Sequence, residues 1–236
     1  MKPAVLFDLG NTLAGYYHAD EFKSILRQSI SAVFEELSAR GFETMPLNAA
    51  LVTAQQENKE AVDFRFGPMA DRFERIFQIS LAGNPALAHR LCELFLEPIF
   101  AIANVYDDTH SVLETLSGEG YPLAIVSNAP WGSPPKLWRQ EMQRLGLSDL
   151  VSSVVLCGDV GWRKPAAEIF EHAAKQLHRS TTECIFVGDD LRWDVAGSEA
   201  VGMRSVLIDR NRRHEDYAGE RVENLNELLR VIRASA

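Results

Sequence analysis

The sequence predicts an α/β protein whose parallel sheet is interrupted, after its first strand, by a bundle of helices. Two observations carry this. After about residue 105, apolar runs at 122–128, 151–158, 184–190 and 204–209 alternate with helical patterns through short loops, the order that builds a parallel sheet with right-handed crossovers. Between about 20 and 96 the pattern is helical with few strand signals, and four helices in succession can hide their apolar faces only against one another.

In chain order, residues 4–8 (AVLFD) form a near-continuous apolar run, as expected of a strand covered on both faces. The run stops at Leu9-Gly10-Asn11, which is turn chemistry. Phe22, Ile25, Leu26, Ile30, Val33, Phe34 and Leu37 fall on one helical stripe, and Gly41 closes that helix. Pro46 opens a helical stretch over 47–63. Pro68 and Pro85 mark two more starts, with Asn84 as N-cap before Pro85. Later helices are expected at 108–118, 134–145, 165–178, 194–201 and about 224–233. The expected organisation is an α/β core of residues 1–14 and 105–236, with residues 15–104 inserted as a helical unit.

The 236 residues suffice for a sizeable core, and 46% hydrophobic with 24% charged residues is ordinary globular usage. Acids outnumber bases by 33 to 24, a net charge of −9, which argues against a nucleic-acid partner. No apolar run approaches the ~18 residues needed to cross a bilayer, so no membrane partner is expected. Asp8 interrupts the first apolar run, making it a poor signal peptide. Three scattered cysteines, Cys92, Cys157 and Cys184, read as reduced thiols of a cytoplasmic protein.

Ligands of open parallel sheets bind beyond the carboxyl ends of the strands. There the sequence places Asp8, then Ser127-Asn128, then Gly188-Asp189-Asp190, with Gly161-Trp162-Arg163-Lys164-Pro165 before a helix. Each alone has a bland reading as a helix cap or a solvated charge. Together they are a carboxylate, a hydroxyl, a lysine and a carboxylate pair on one face. Two carboxylates ~4 Å apart repel by ~4 kcal/mol at an effective dielectric near 20. A divalent cation removes that cost, and all-oxygen ligation by few carboxylates suits Mg²⁺. Cation, lysine and hydroxyl donor are the equipment of phosphoryl transfer.

The stretches VLFDLGNTL, LAIVSNA, GWRKPAAEIF and FVGDDLRWDVAGSEAVGM stand in the order and spacing of a known family. The chain resembles haloacid dehalogenase superfamily hydrolases with a C1-type helical cap, over essentially its whole length. The resemblance implies a Rossmann-like core and a Mg²⁺-dependent phosphatase of small phosphorylated metabolites, acting through an aspartyl-phosphate. By similarity, Asp8 is the nucleophile. Ser127 bonds the phosphoryl group, helped by Asn128, and Lys164 screens its charge. Asp8, the Gly10 carbonyl and Asp189 hold Mg²⁺. Asp194 completes the fourth motif, acting on the metal through water or by orienting Lys164. Thr12 orients the first loop. Monomer and homodimer are both compatible with the sequence.

One departure stands out. The family's phosphatases usually carry D-x-D in the first motif, and here it is Asp8-Leu9-Gly10. The absent carboxylate is a general acid–base, a type of group worth ~10²–10⁴-fold. His18, on the segment joining core to helices, is the candidate substitute on the substrate side, with Tyr16 or Tyr17 behind it. The departure keeps two alternatives open: a metal-independent 2-haloacid dehalogenase-type hydrolase, and a catalytically weak phosphometabolite-binding or regulatory protein. Trp131, Trp162 and Trp193 lie within a few residues of the motifs, as an aromatic rim or as packing. Residues 210–214 (RNRRH) read as a solvated basic loop.

Overall fold

The computed structural model describes residues 2–17, 21–57, 60 and 62–234. The chain begins with β1 (Ala4–Phe7) and a two-residue strand β2 (Ala14–Gly15). Four helices follow: α1 (Phe22–Ala39), α2 (Leu47–Glu57), α3 (Met69–Phe77) and α4 (Pro85–Ala101). The chain re-enters the core through β3 (Asn104–Val105), which pairs antiparallel with β2. Then come α5 (Thr109–Gly118), β4 (Leu123–Ser127), α6 (Pro135–Arg144), β5 (Ser153–Leu156), the single turn α7 (Cys157–Val160) and α8 (Ala167–Gln176). The last elements are β6 (Cys184–Gly188), a π-helical turn (Leu191–Ala196) running into α9 (Gly197–Ala200), β7 (Arg204–Ile208), β8 (Arg221–Val222) and α10 (Leu225–Arg233).

The sheet is parallel, in the order β5-β4-β1-β6-β7-β8, so the chain folds as an α/β core carrying an inserted helical bundle. The four side chains of β1 are fully buried, which suits its central place between β4 and β6. In the bundle α1 packs on α4 and α2 on α3. Ile25, Leu26, Ile30, Val33 and Leu37 are buried, with Phe22 and Phe34 at the margin of the stripe. Gly41, at φ +77°, lets the amide of Phe42 reach back to Leu37, ending α1 as its position suggests. Asn84 caps α4 by accepting from the amide of Leu87, a contact worth about 1 kcal/mol.

Several elements differ from the sequence reading. Helix α2 is described as far as Glu57, and residues 60 and 62 lie in turns rather than in a helix reaching 63, while residues 64–66 run beside 161–163 of the core. Arg163 N–H donates to Phe64 O (2.7 Å) and Phe66 N–H to Gly161 O (2.9 Å). Tertiary pairing there overrides a helical pattern. The two-residue strands β2, β3 and β8 are too short to show an alternation. The helix expected at 194–201 begins earlier, as the wide turn capped by Asp190, whose carboxylate accepts from the amides of Arg192 and Trp193.

Candidate active site

Three neighbouring strand ends define the site. Asp8 follows β1, Ser127 closes β4 and Asp189 follows β6. The amide of Asp8 still donates to Val187 O (2.9 Å), which fixes the first carboxylate beside the end of β6. Lys164 arrives from the loop between α7 and α8. Its ammonium lies 2.5 Å from Asp8 Oδ1 and 2.6 Å from Asp194 Oδ1, and is buried. Asn128 holds this lysine by its backbone: Lys164 N–H donates to Asn128 Oδ1 (2.8 Å), and Asn128 Nδ2 donates to Lys164 O (3.1 Å). The Asn128 side chain is thus bonded to the Lys164 backbone, while the residue also lines the cavity at the strand ends.

Asp194 is buried, and its second oxygen accepts from the Asp190 amide (3.1 Å). Both its oxygens are thus engaged, one by Lys164 and one by backbone. This favours the lysine-orienting role over direct metal ligation. Gly188 permits the approach, since a Cβ there would stand 2.4 Å from the Asp194 carboxyl carbon. Thr12 is anchored through its backbone. It is fully buried, its hydroxyl has no hydrogen-bond partner among the described residues, and its carbonyl instead accepts from Arg210 Nη2 (2.9 Å). Nor is Arg210 solvated: it also binds Asp108 and stacks 3.9 Å from the Tyr106 ring centre. His18 lies outside the described residues.

Asp8, Asp189 and Asp194 each offer a carboxylate oxygen, all within 4.8 Å of one another. One lysine faces three carboxylates. Burial, then Asp8 and Asp194, push the Asp189 carboxyl up to about 8. Burial, partly opposed by Lys164, pushes Asp194 up to about 7. Burial works against the Lys164 charge, yet Asp194 and Asp8 hold its pKa above the usual lysine range. Negative charge is left over, and an all-oxygen set centred on Asp8 and Asp189 fits a hard divalent cation.

Asp8, Gly10, Ser127, Asn128, Lys164, Asp189 and Asp194 all line one cavity of about 460 Å³, covered by Tyr17, Glu60 and Trp193. A second cavity of about 170 Å³ shares Gly10, Ser127 and Asn128 with it, and is closed by Tyr16, Ile99 and Trp138. Gly10 is not in the left-handed region, and a Cβ added there meets nothing within 4 Å. The left-handed step of the loop is taken by Asn11, at φ 55°.

Sequence reasoning missed the junction between bundle and core. Glu60 accepts from Arg163 (3.0 and 2.9 Å) and pairs with Arg72 of α3 (3.2 Å). Nothing in the local sequence marks Glu60, and only the neighbourhood of Lys164 marks Arg163. The tryptophans mostly pack this junction. Trp131 is buried, 5.4 Å from the Phe95 ring and beneath Arg72. Trp162 lies under Arg65, and Trp193 meets Phe64 edge-on at 5.7 Å while also lining the larger cavity. Gly132 abuts the bundle so closely that a Cβ would overlap Gly67 O.

Comparison with known proteins agrees with this architecture. A haloacid dehalogenase-like hydrolase family model matches residues 2–202. The ribulose-1,5-bisphosphate 5-phosphatase of Halopiger xanaduensis is 29% identical over 220 residues, covering 89% of this chain and 85% of its own. The glyceraldehyde 3-phosphate phosphatase of Methanopyrus kandleri is 29% identical over 245 aligned positions, covering 100% and 99%. The crystal structure of an HAD phosphatase from Thermococcus onnurineus superposes with a TM-score of 0.70 at 27% identity, covering 98% of both chains. With the family motifs gathered at three adjacent strand ends and the family model spanning most of its length, the chain belongs to the haloacid dehalogenase-like hydrolases.

Proposed function

We propose that the protein is a Mg²⁺-dependent phosphatase of small phosphorylated metabolites, with residues 15–104 as the cap over its site. The observation that carries this reading is the surplus of carboxylate at Asp8, Asp189 and Asp194 around a single lysine. Asp8, Asp189 and the Gly10 carbonyl would hold the cation, which supplies charge neutralisation for the phosphoryl oxygens and for Asp8. The free Asp8 oxygen attacks phosphorus, the bond to the leaving oxygen breaks, and that oxygen takes a proton from solvent because Gly10 offers none. Ser127 donates to a phosphoryl oxygen. Lys164, held by Asn128 and Asp194, stays charged and keeps Asp8 and phosphate from repelling. Water then attacks phosphorus of the aspartyl-phosphate, returning Asp8 and releasing phosphate. The phosphatase names of the relatives support the same reading.

The test is turnover of acetyl phosphate with Mg²⁺ and with EDTA, in the wild type and in Asp8→Asn. Mg²⁺-dependent release of phosphate that vanishes in Asp8→Asn is expected. Gly10 favours a second reading, the dehalogenase type, since that chemistry needs no acid there. Halide release from a 2-haloacid without metal, and no phosphate release, would establish it instead. Binding of phosphometabolites with neither turnover would point to a regulatory role.

A further inference from the structure

The smaller cavity has a feature that packing does not account for. The Tyr16 hydroxyl is buried in its wall and has no hydrogen-bond partner among the described residues. Buried hydroxyls nearly always have partners, because burial strips them of water. The ring is held in place: Gly15, just before it, pairs with Asn104, and Trp138 meets it edge-on at 5.6 Å. Burial, reinforced by Glu141, raises the Tyr16 pKa, so the hydroxyl keeps its proton as a donor.

Two further properties bear on what would bind. The cavity opens between Gly10 and Ser127, which it shares with the larger cavity, so a group there is continuous with a phosphate at Asp8. Its volume is about 170 Å³, and a cavity of ~150 Å³ holds a molecule of about benzene size. Its walls include Leu9, Ile99, Pro130 and Trp138, and none of the described lining residues carries a charge.

Resting on the phosphatase reading, we infer that this cavity is the leaving-group subsite, that it takes the short uncharged hydroxy- or carbonyl-bearing end of a phosphate monoester, and that Tyr16 Oη donates to one of its oxygens. A largely apolar, uncharged wall that carries an unmatched buried donor rewards an oxygen placed at that donor and penalises both its absence and a charge.

The test measures kcat/KM with Mg²⁺ for wild type and Tyr16→Phe on four substrates: acetyl phosphate, glycerol 1-phosphate, propyl phosphate and 3-phosphoglycerate. Wild type is expected to prefer glycerol 1-phosphate to propyl phosphate and to 3-phosphoglycerate, each by about tenfold. Tyr16→Phe should erase the preference over propyl phosphate, while propyl phosphate, whose end offers the hydroxyl no oxygen, stays within about twofold and the melting temperature is unchanged. A Tyr16→Phe protein that still prefers glycerol 1-phosphate overturns the inference, as does a wild type that cleaves 3-phosphoglycerate equally well. In both cases acetyl phosphate turnover leaves the phosphatase reading standing. Absence of acetyl phosphate turnover in wild type removes that reading and the inference together.

Discussion

The strand-end site and the junction between bundle and core are both built from buried charge, yet they are balanced differently. At the junction, Glu60 stands between two arginines, Arg163 and Arg72, and the surplus is positive and partly met by the carbonyls of Ala129 and Glu57, which accept from them. At the strand ends, Lys164 stands among three carboxylates, and the sum stays negative. Surplus guanidinium can be met by backbone carbonyls and hold a structure in one arrangement, whereas surplus carboxylate calls for a further cation. The comparison assigns chemistry to the first region and closure to the second, and each assignment can be broken by substitution.

The largest effect is expected from Asp8→Asn. An amide cannot act as the nucleophile, so Mg²⁺-dependent phosphate release should fall by ~10⁴-fold or more. Asparagine retains an oxygen for Lys164, so the melting temperature should change little. Turnover close to wild type would end the covalent mechanism and weaken the contrast between the two regions.

Next comes Gly10→Asp. Gly10 lies outside the left-handed region and has open space where a Cβ would go, so the substitution carries no left-handed strain. If the missing carboxylate limits the rate, alkyl phosphates should gain up to ~10²–10⁴-fold and acetyl phosphate far less, because its leaving group needs no proton. An unchanged dependence on leaving group would mean that another residue already supplies the proton.

The charge imbalance should also appear in stability. Asp189 and Asp194 have carboxyls raised from 3.8 to about 8 and about 7. A carboxyl with a raised folded pKa holds its proton more tightly in the fold. Its contribution is therefore greatest below pH ~4 and is lost as pH rises toward 7–8. In EDTA these two groups should lower the melting temperature between about pH 5 and 8. Mg²⁺ should restore it, by ~2.7 kcal/mol at a hundredfold excess over Kd, and Asp189→Ala should abolish the restoration. Melting curves that are identical in EDTA and Mg²⁺ across that range would remove the cation site.

How far each region could be read in the sequence follows from how it is assembled. Asp8, Ser127 and Asp189 sit at the ends of apolar runs, so strand recognition and the rule that ligands bind at carboxyl ends locate them together. Lys164 comes with its own local motif. The junction depends on residues about a hundred positions apart, such as Glu60 and Arg163. No periodicity links such residues, and the helical pattern read over 47–63 gives no sign of the pairing that 64–66 make with the core. The role of Asn128 was hidden for the same reason, since its two bonds go to a backbone 36 positions away.

The smallest effect, and the sharpest separation of the two regions, is expected from Glu60→Gln. Glutamine keeps the length and one acceptor oxygen but removes the charge that Arg163 and Arg72 share. Both arginines are buried, so each loses a charge-assisted bond without gaining water. Hydrogen bonds to charged groups contribute about 1.5–3 kcal/mol, and the retained acceptor keeps part of that. The melting temperature should therefore fall by an amount corresponding to about 1–2 kcal/mol. Asp8, Lys164 and Asp194 keep every bond they make, so kcat on acetyl phosphate should stay within about threefold, with any loss falling on KM as the cover over the site loosens. The opposite pattern, an unchanged melting temperature with kcat reduced as in Asp8→Asn, would move Glu60 from closing the site to taking part in the reaction.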